Sequence, residues 1–146
     1  MIVLDTTVLL YAVGAEHALR EPCRRVVAAI GEDRLRATTT VEVLQEFAHV
    51  RARRRGRADA AALTAQFVTL LSPLISPDAD DLDEGLRIFR ENDRVGAFDA
   101  VLAAAALRRD HVTALVSADR AFAGIPGLRH LDPASDSFAD WIGAQS

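Results

Sequence analysis

Short apolar runs alternate along the chain with longer segments in which apolar residues recur every three or four positions. The short runs have the pattern of buried strands. They lie at 2–4, 35–38, 74–76, 113–116 and 128–131. The longer segments have the pattern of amphipathic helices. They lie at 17–30, 41–54, 58–71, 78–91 and 98–107. This alternation predicts a short, mainly parallel sheet covered by helices on both faces, and ligands bind such sheets at the carboxyl ends of the strands.

The helix at 78–91 has both an apolar stripe and an acidic beginning. Its spacing predicts that Leu82, Leu86 and Phe89 face the core. The acidic residues within 78–84 do not follow a calcium-loop pattern. We therefore interpret them as a solvated helix N-terminus that the helix dipole favours.

The helix at 98–107 is apolar on nearly all sides, which predicts that it is buried. Together with the helix at 58–71, it offers more apolar surface than a sheet of this size is expected to cover. We therefore expect a two-fold homodimer and a hydrophobic groove for a partner segment. The simpler interpretation is that both helices belong to the core.

Composition narrows the possible chemistry. The chain has 146 residues, which fits one domain over 1–146. All 17 basic residues are Arg, and without Lys neither a P-loop nor Schiff-base catalysis is possible. The single cysteine, Cys23, cannot form an internal disulfide, which favours a reducing compartment such as the cytoplasm. We find no signal-peptide pattern and no apolar run long enough for a membrane span, so we expect no membrane association.

Three aspartates follow or begin predicted elements. Asp5 ends the first strand, Asp99 opens the helix at 98–107, and Asp119 follows the strand at 113–116. Each of them could be a helix cap, since Asp is common at that position. The alternative is a shared cation site, because Asp5 and Asp119 fall where the crevice of the sheet should lie.

The helix at 41–54 supplies a fourth acid, and its register leaves two candidates. Glu42 matches a capping box that begins at Thr39, so it already has a structural role. Glu46 lies one turn further on and has no such role, so we favour Glu46 as the functional residue. An all-oxygen ligand set selects a hard cation, Mg²⁺ or Mn²⁺.

Four motifs in order resemble the PIN domain, and most closely the VapC-type toxins of toxin–antitoxin modules. They are Ile2 to Leu9 (IVLDTTVL), Val43 to Phe47 (VLQEF), Phe98-Asp99-Ala100, and Ser117 to Phe122 (SADRAF). The resemblance implies a three-layer α/β/α sandwich and a homodimeric ribonuclease that one or two divalent ions activate and a cognate antitoxin inhibits. It also assigns the catalytic and metal-binding acids as Asp5, Glu46, Asp99 and Asp119, with the hydroxyls of Thr6 and Ser117 in support. We keep Glu42 as a further supporting residue, because it lies one turn from Glu46.

The chemistry that the resemblance implies is hydrolysis of RNA phosphodiester bonds by a metal-activated water. The net charge of −4 gives no general attraction to RNA, so a local basic patch is needed. Five arginines in seven residues provide one, and its alternative role is a solvated helix end. They are Arg51, Arg53, Arg54, Arg55 and Arg57.

Two other functions are consistent with parts of the pattern. A catalytically degenerate PIN-like module could bind RNA or act as a scaffold, although the intact set of four acids argues against it. A haloacid-dehalogenase-like phosphatase would need a second Asp two residues after Asp5, where this chain has Thr7.

Overall fold

The computed structural model describes residues 1–145 and contains one parallel sheet of four strands. The strands are β1 (Ile2–Leu4), β2 (Ala37–Thr38), β3 (Ala114–Val116) and β4 (His130–Leu131). Their spatial order is β2-β1-β3-β4, and each neighbouring pair runs parallel. The predicted strand at 74–76 is reduced to a single bridge between Thr40 and Ile75. The sheet and its flanking helices confirm the three-layer α/β/α architecture.

The five predicted helices lie close to their predicted positions, and two further helices, at 6–13 and 136–143, were not predicted. The helices are α1 (Thr6–Val13), α2 (Arg20–Gly31), α3 (Val41–Arg55), α4 (Arg57–Leu71), α5 (Ala79–Glu91), α6 (Ala97–Leu107) and α7 (Asp136–Gly143), with a short 3₁₀ helix at Arg120–Gly124. Helix α1 contacts α2 and α3, while α3 packs on α4 and α5 on α6. Within residues 1–145, no helix is long and apolar enough to cross a membrane.

Helix α6 is buried, as its composition predicts. Ala100 and the run 102–106 are almost entirely inaccessible, because their small side chains let the helix pack closely against its neighbours. The expectation that this helix offers an apolar face to a partner is therefore wrong for most of its length. Phe98, at its beginning, is the large apolar residue that it leaves exposed, with 42% of its surface accessible.

Helix α5 is rotated by one residue, about 100°, from the predicted orientation, so that a neighbouring face packs inward. Leu82, Leu86 and Phe89 are 45–48% exposed, whereas Gly85 and Ile88 point inward. A Cβ atom at Gly85 would lie 2.7 Å from Cγ2 and 2.8 Å from Cα of Val101. Glycine therefore allows α5 to approach α6 closely, and the apolar stripe remains on the surface.

The acidic beginning of α5 is only partly solvated. Asp78 caps the helix by accepting a hydrogen bond from the Asp81 backbone, and the Asp81 side chain accepts one from the Asp78 backbone in return. Asp81 is completely buried, which corrects our interpretation of this residue as solvated. It binds Arg108 at 2.7 Å and Arg109 at 3.0 Å, so it connects α5 to the end of α6.

Candidate functional site

The carboxyl ends of β1 and β3 place polar side chains next to each other. Asp5 follows β1 directly and is only 3% exposed. Its Oδ2 atom accepts hydrogen bonds from Ser117 Oγ at 2.6 Å and from Thr7 Oγ1 at 2.9 Å. Ser117 Oγ also accepts the Asp119 backbone N–H, and Thr7 Oγ1 accepts that of Ala118. This network holds the Asp5 carboxylate in one orientation and leaves Oδ1 outside these bonds.

Glu46 joins this group from α3. Thr6, the residue after Asp5, donates a hydrogen bond from Oγ1 to Glu46 Oε2 at 2.8 Å. Thr6, to which the resemblance gives a supporting role, thus contacts one of the four predicted acids. The contact ties the second turn of α3 to the carboxyl end of β1.

Glu42 does not have the structural role predicted for it. Helix α3 begins one residue later than the capping box requires: Thr40 is the N-cap, and its hydroxyl accepts the Val43 backbone N–H at 3.1 Å. Thr39 instead donates its hydroxyl to the Leu4 carbonyl. Without a capping role, the Oε2 atom of Glu42 is buried and has no hydrogen-bond partner within residues 1–145.

Asp99 lies in the first turn of α6, where its environment opposes ionisation. Burial, and then the negative charges of Asp5, Asp119 and Glu46, raise the pKa of Asp99 to about 7. The same electrostatic environment thus contains all four predicted acids, and Glu42 does not contribute to it. This favours Glu46 as the functional acid of α3.

The helix-cap alternative applies to only one of the three aspartates. Asp119 Oδ1 accepts the Ala121 backbone N–H and caps the 3₁₀ helix. Asp5 precedes α1 but makes no capping hydrogen bond with its side chain. The N-cap of α6 is Gly96, so Asp99 does not occupy that position. Capping therefore does not account for the position of Asp5 or of Asp99.

The donor set has the chemistry that a hard cation prefers, since it consists of carboxylate oxygens supported by hydroxyl groups. As placed, however, no three His, Cys, Asp or Glu side chains of residues 1–145 form a closed metal-binding cluster. A cation held by all four acids would have to draw their carboxylates closer together.

The predicted basic patch is divided between two roles. Arg51 is 12% exposed, and it binds Asp59 of α4 and the Val13 carbonyl at the end of α1. It therefore connects three helices, whereas Arg53, Arg54, Arg55 and Arg57 are exposed. Arg54 and Thr7 line a common cleft, so the exposed part of the patch reaches the edge of the acidic group.

One feature of the site, and one property of a residue elsewhere in the fold, were not predicted from the sequence. Thr7 is the second hydroxyl on Asp5, although only Thr6 and Ser117 were singled out as supporting residues. Cys23 is buried, and burial, followed by the charge of Asp132, raises the pKa of its thiol to about 12. A thiol that stays protonated is a poor nucleophile, which agrees with a site built from carboxylates.

The model of the PIN domain family matches residues 2–128. Since the match covers most of the sequence, the chain belongs to the PIN domain family. Its relatives are VapC ribonucleases. Ribonuclease VapC7 of Mycobacterium tuberculosis is 51% identical over 98% of this chain and 99% of its own length. Ribonuclease VapC23 of Mycobacterium tuberculosis is 32% identical over 75% of this chain and 86% of its own length.

Solved structures agree with this fold. VapBC2 from Rickettsia felis, bound to a DNA fragment from its promoter, superposes with a TM-score of 0.70 at 18% identity. That match covers 90% of this chain and 98% of the other. Mycobacterium tuberculosis VapC20, a toxin that cleaves the sarcin–ricin loop, superposes with a TM-score of 0.68 at 20% identity. It covers 88% of this chain and 99% of the other.

Proposed function

We propose that this protein is a divalent-metal-dependent endoribonuclease and the toxin of a toxin–antitoxin pair. The observation that carries the proposal is the environment of Asp99, where burial and then the charges of Asp5, Asp119 and Glu46 raise the pKa of its carboxyl to about 7. Such a grouping of carboxylates brings no benefit to the fold by itself, whereas a bound divalent cation would neutralise it. The relatives named ribonucleases support RNA as the substrate.

The four acids would hold one or two Mg²⁺ or Mn²⁺ ions, which PIN-domain nucleases generally need. Such ions would stabilise the charge that develops on the phosphodiester and lower the pKa of the attacking water. In this chain, Ser117 and Thr7 fix Asp5, and Thr6 fixes Glu46, so two acids are oriented before a cation binds. The family resemblance implies a 5′-phosphate and a 3′-hydroxyl as products.

Substrate contact falls to the exposed part of the basic patch. Arg53 lines a surface depression of about 370 Å³ with Arg57, while Arg54 faces the cleft that includes Thr7. Guanidinium groups bind phosphate through paired hydrogen bonds, so these residues would grip the RNA backbone irrespective of sequence. We leave Arg51 out of this role because Asp59 already neutralises it.

Two protein partners complete the proposal. Solved neighbours are VapBC complexes, which supports an antitoxin as the partner that inhibits this chain. We also propose a homodimer formed by the exposed stripe of α5, Leu82, Leu86 and Phe89. A stripe of this kind, set against a polar remainder, is typical of a protein interface.

The test is cleavage of a long single-stranded RNA transcript by the purified protein. We expect cleavage with Mg²⁺, none with EDTA, and none from a folded Asp5→Asn variant, because Asp5 is the most firmly positioned acid. Asp110→Asn, an exposed aspartate beyond the end of α6, is the matched control and should cleave like the wild type. A catalytically degenerate module would bind the transcript without cutting it, and equal cleavage by Asp5→Asn would exclude our assignment.

A further inference from the structure

A cleft of about 310 Å³ lies beside the acidic group, between the end of α1, the loop that follows it and the last turn of α3. We call it the α1 cleft, and the residues that matter here are Thr7, Tyr11, Glu16, His17 and Arg54. Its volume is at the lower end of the range for ligand pockets, about 300–1,000 Å³. Thr7 forms part of its wall and hydrogen-bonds Asp5, so the cleft begins one side chain away from the proposed catalytic centre.

The α1 cleft is built by specific contacts. A Cβ atom at Gly14 would lie 2.7 Å from the Leu10 carbonyl oxygen, so glycine lets the chain turn back tightly over the end of α1. Arg51 binds the Val13 carbonyl at 2.9 Å and also Asp59, which anchors the end of α1 to α3 and α4. These contacts shape the cleft before any ligand arrives.

Two aromatic rings stand together in this cleft. The ring centroids of Tyr11 and His17 are 4.7 Å apart, and their planes are inclined by 32°. His17 Nδ1 accepts the Leu19 backbone N–H at 3.1 Å, so the neutral ring carries its proton on Nε2. His17 is exposed although it is held in place, as expected for a surface on which a flat ring can stack.

The charged groups of the cleft distinguish the two parts of a nucleotide. Arg54 suits a phosphate, whereas the Glu16 carboxylate repels one and accepts hydrogen bonds from donor groups, which on a base are N–H groups. Guanine is the base that offers two adjacent N–H donors on its Watson–Crick edge, and a carboxylate can accept both. Adenine and cytosine each place a lone pair beside their single amino group, which a carboxylate would repel.

We propose that the α1 cleft is a nucleotide subsite next to the cleaved bond and that it selects guanine. The base stacks on the exposed His17 ring, which Tyr11 supports from its other side, Glu16 accepts hydrogen bonds from the donor edge of the base, and Arg54 binds the neighbouring phosphate. This inference rests on the proposed ribonuclease function and adds to it a site preference that the carboxylates alone cannot provide.

The first test maps the ends produced from a long transcript of mixed sequence. Wild-type cuts should be enriched for guanine at one position beside the cleaved bond. Glu16→Gln and His17→Ala should lose that enrichment and cut those sites about tenfold more slowly. The controls are His111→Ala and Arg36→Gln. These residues precede β3 and β2, at the amino ends of the strands and thus on the side of the sheet away from the site, so both variants should retain the guanine enrichment. Enrichment that is absent in the wild type, or unchanged in both variants, would overturn the inference.

A second test does not depend on cleavage. In EDTA, 5′-GMP should bind at least about fivefold more tightly than 5′-AMP and shift the NMR signals of the His17 ring, and Glu16→Gln should remove this preference. If GMP is preferred but no RNA is cut, only the proposed function fails. If RNA is cut and the two nucleotides bind equally, only the subsite fails. A third outcome is that Glu16→Gln and His17→Ala keep the GMP preference of the wild type but are no longer inhibited by the antitoxin. That result would assign the cleft to the antitoxin and overturn the inference.

Discussion

Replacing Asp99 by Asn should raise the stability of the protein while abolishing its activity, and both effects follow from the environment of Asp99. The Asp99 pKa is about 7 in the fold, against 3.8 for an unperturbed carboxyl. A carboxyl whose pKa is raised by folding costs no stability below its unfolded pKa. The cost grows as the pH rises through the interval between the two values and is complete above the folded pKa.

The full cost is about 4 kcal/mol, since each pKa unit corresponds to about 1.4 kcal/mol. Asn cannot ionise, so Asp99→Asn avoids this penalty. We expect the free energy of unfolding of the variant to exceed that of the wild type by about 2–4 kcal/mol at pH 8. The range extends below the full cost because the neighbouring acids relax in part when one charge is removed. At pH 4 the two proteins should be equally stable, while RNA cleavage should be lost at every pH.

The assay is urea unfolding of both proteins in EDTA at several values between pH 4 and pH 8. Asp110→Asn, exposed beyond the opposite end of α6, serves as the control and should show no such dependence. Added Mg²⁺ should then stabilise the wild type more than Asp99→Asn, since a bound ion stabilises the fold by mass action. A stability difference that is the same at pH 4 and pH 8, or a variant less stable than the wild type at pH 8, would refute the electrostatic argument.

Three further predictions concern the other parts of the site and surface. Glu46→Gln should abolish cleavage, whereas Glu42→Gln should retain most of the activity. Urea unfolding should show that Glu42→Gln loses no capping energy. If the order of the two activities is reversed, Glu42 is the ligand. Neutralising Arg53 and Arg54 together should weaken binding to all RNAs and lower the salt slope by about 0.7 for each lost contact, measured at two salt concentrations, and an unchanged affinity would contradict phosphate binding. Leu86→Asp should give a monomer in sedimentation at tens of micromolar without loss of fold, and a wild type that is already monomeric would rule out the homodimer.

The sequence predicts the sheet well because strands of this kind depend on local signals, and signals of the same kind single out the four candidate acids. A buried strand followed by an acid, such as Ile2–Leu4 with Asp5, needs only a few neighbouring residues to be recognised. The burial of the alanine-rich helix α6 can be predicted from its composition alone. The order of these elements then brings the carboxyl ends of β1 and β3 together, since the two strands pair directly.

The errors arise where distant contacts decide between two similar local choices. Thr39 and Thr40 are equally suitable caps for α3, and the choice falls on Thr40 because the Thr39 hydroxyl is taken by the Leu4 carbonyl. In the same way, Arg51 belongs to an exposed basic run by sequence, but Asp59 of the next helix removes it from that run. Neither partner can be identified from spacing along one helix.

Helix α5 is the largest error, and its physical reason is the charge on Asp81. Apolar periodicity identifies a face that avoids water, but it does not say whether the core or a partner protein covers that face. In α5 the inward position is held by Asp81, which pairs with Arg108 and Arg109 some 27 residues further on. A buried acid with two arginine partners fixes the rotation of the helix, and the apolar stripe must then face outward.

Asp81→Asn should therefore be among the most destabilising single changes in α5. Burial alone would raise the Asp81 pKa, but hydrogen bonds from Arg109, the Asp78 backbone and Arg108 lower it to about 2. Because the folded pKa lies below the unfolded value of 3.8, about 2 kcal/mol of stability is present above pH 4 and disappears as the pH falls towards 2.

Urea unfolding at pH 7 should show a loss of about 2–3 kcal/mol for Asp81→Asn, since its arginine partners would lose their buried counter-charge. The matched control is Glu84→Gln on the same helix, which breaks a surface ion pair with Arg87 and should cost less than about 1 kcal/mol. The difference between wild type and Asp81→Asn should stay constant from pH 7 to pH 5 and shrink below pH 4. If Asp81→Asn costs no more than Glu84→Gln, or if its cost does not change with pH, this ion pair does not set the rotation of α5, and the outward position of Leu82, Leu86 and Phe89 must have another cause.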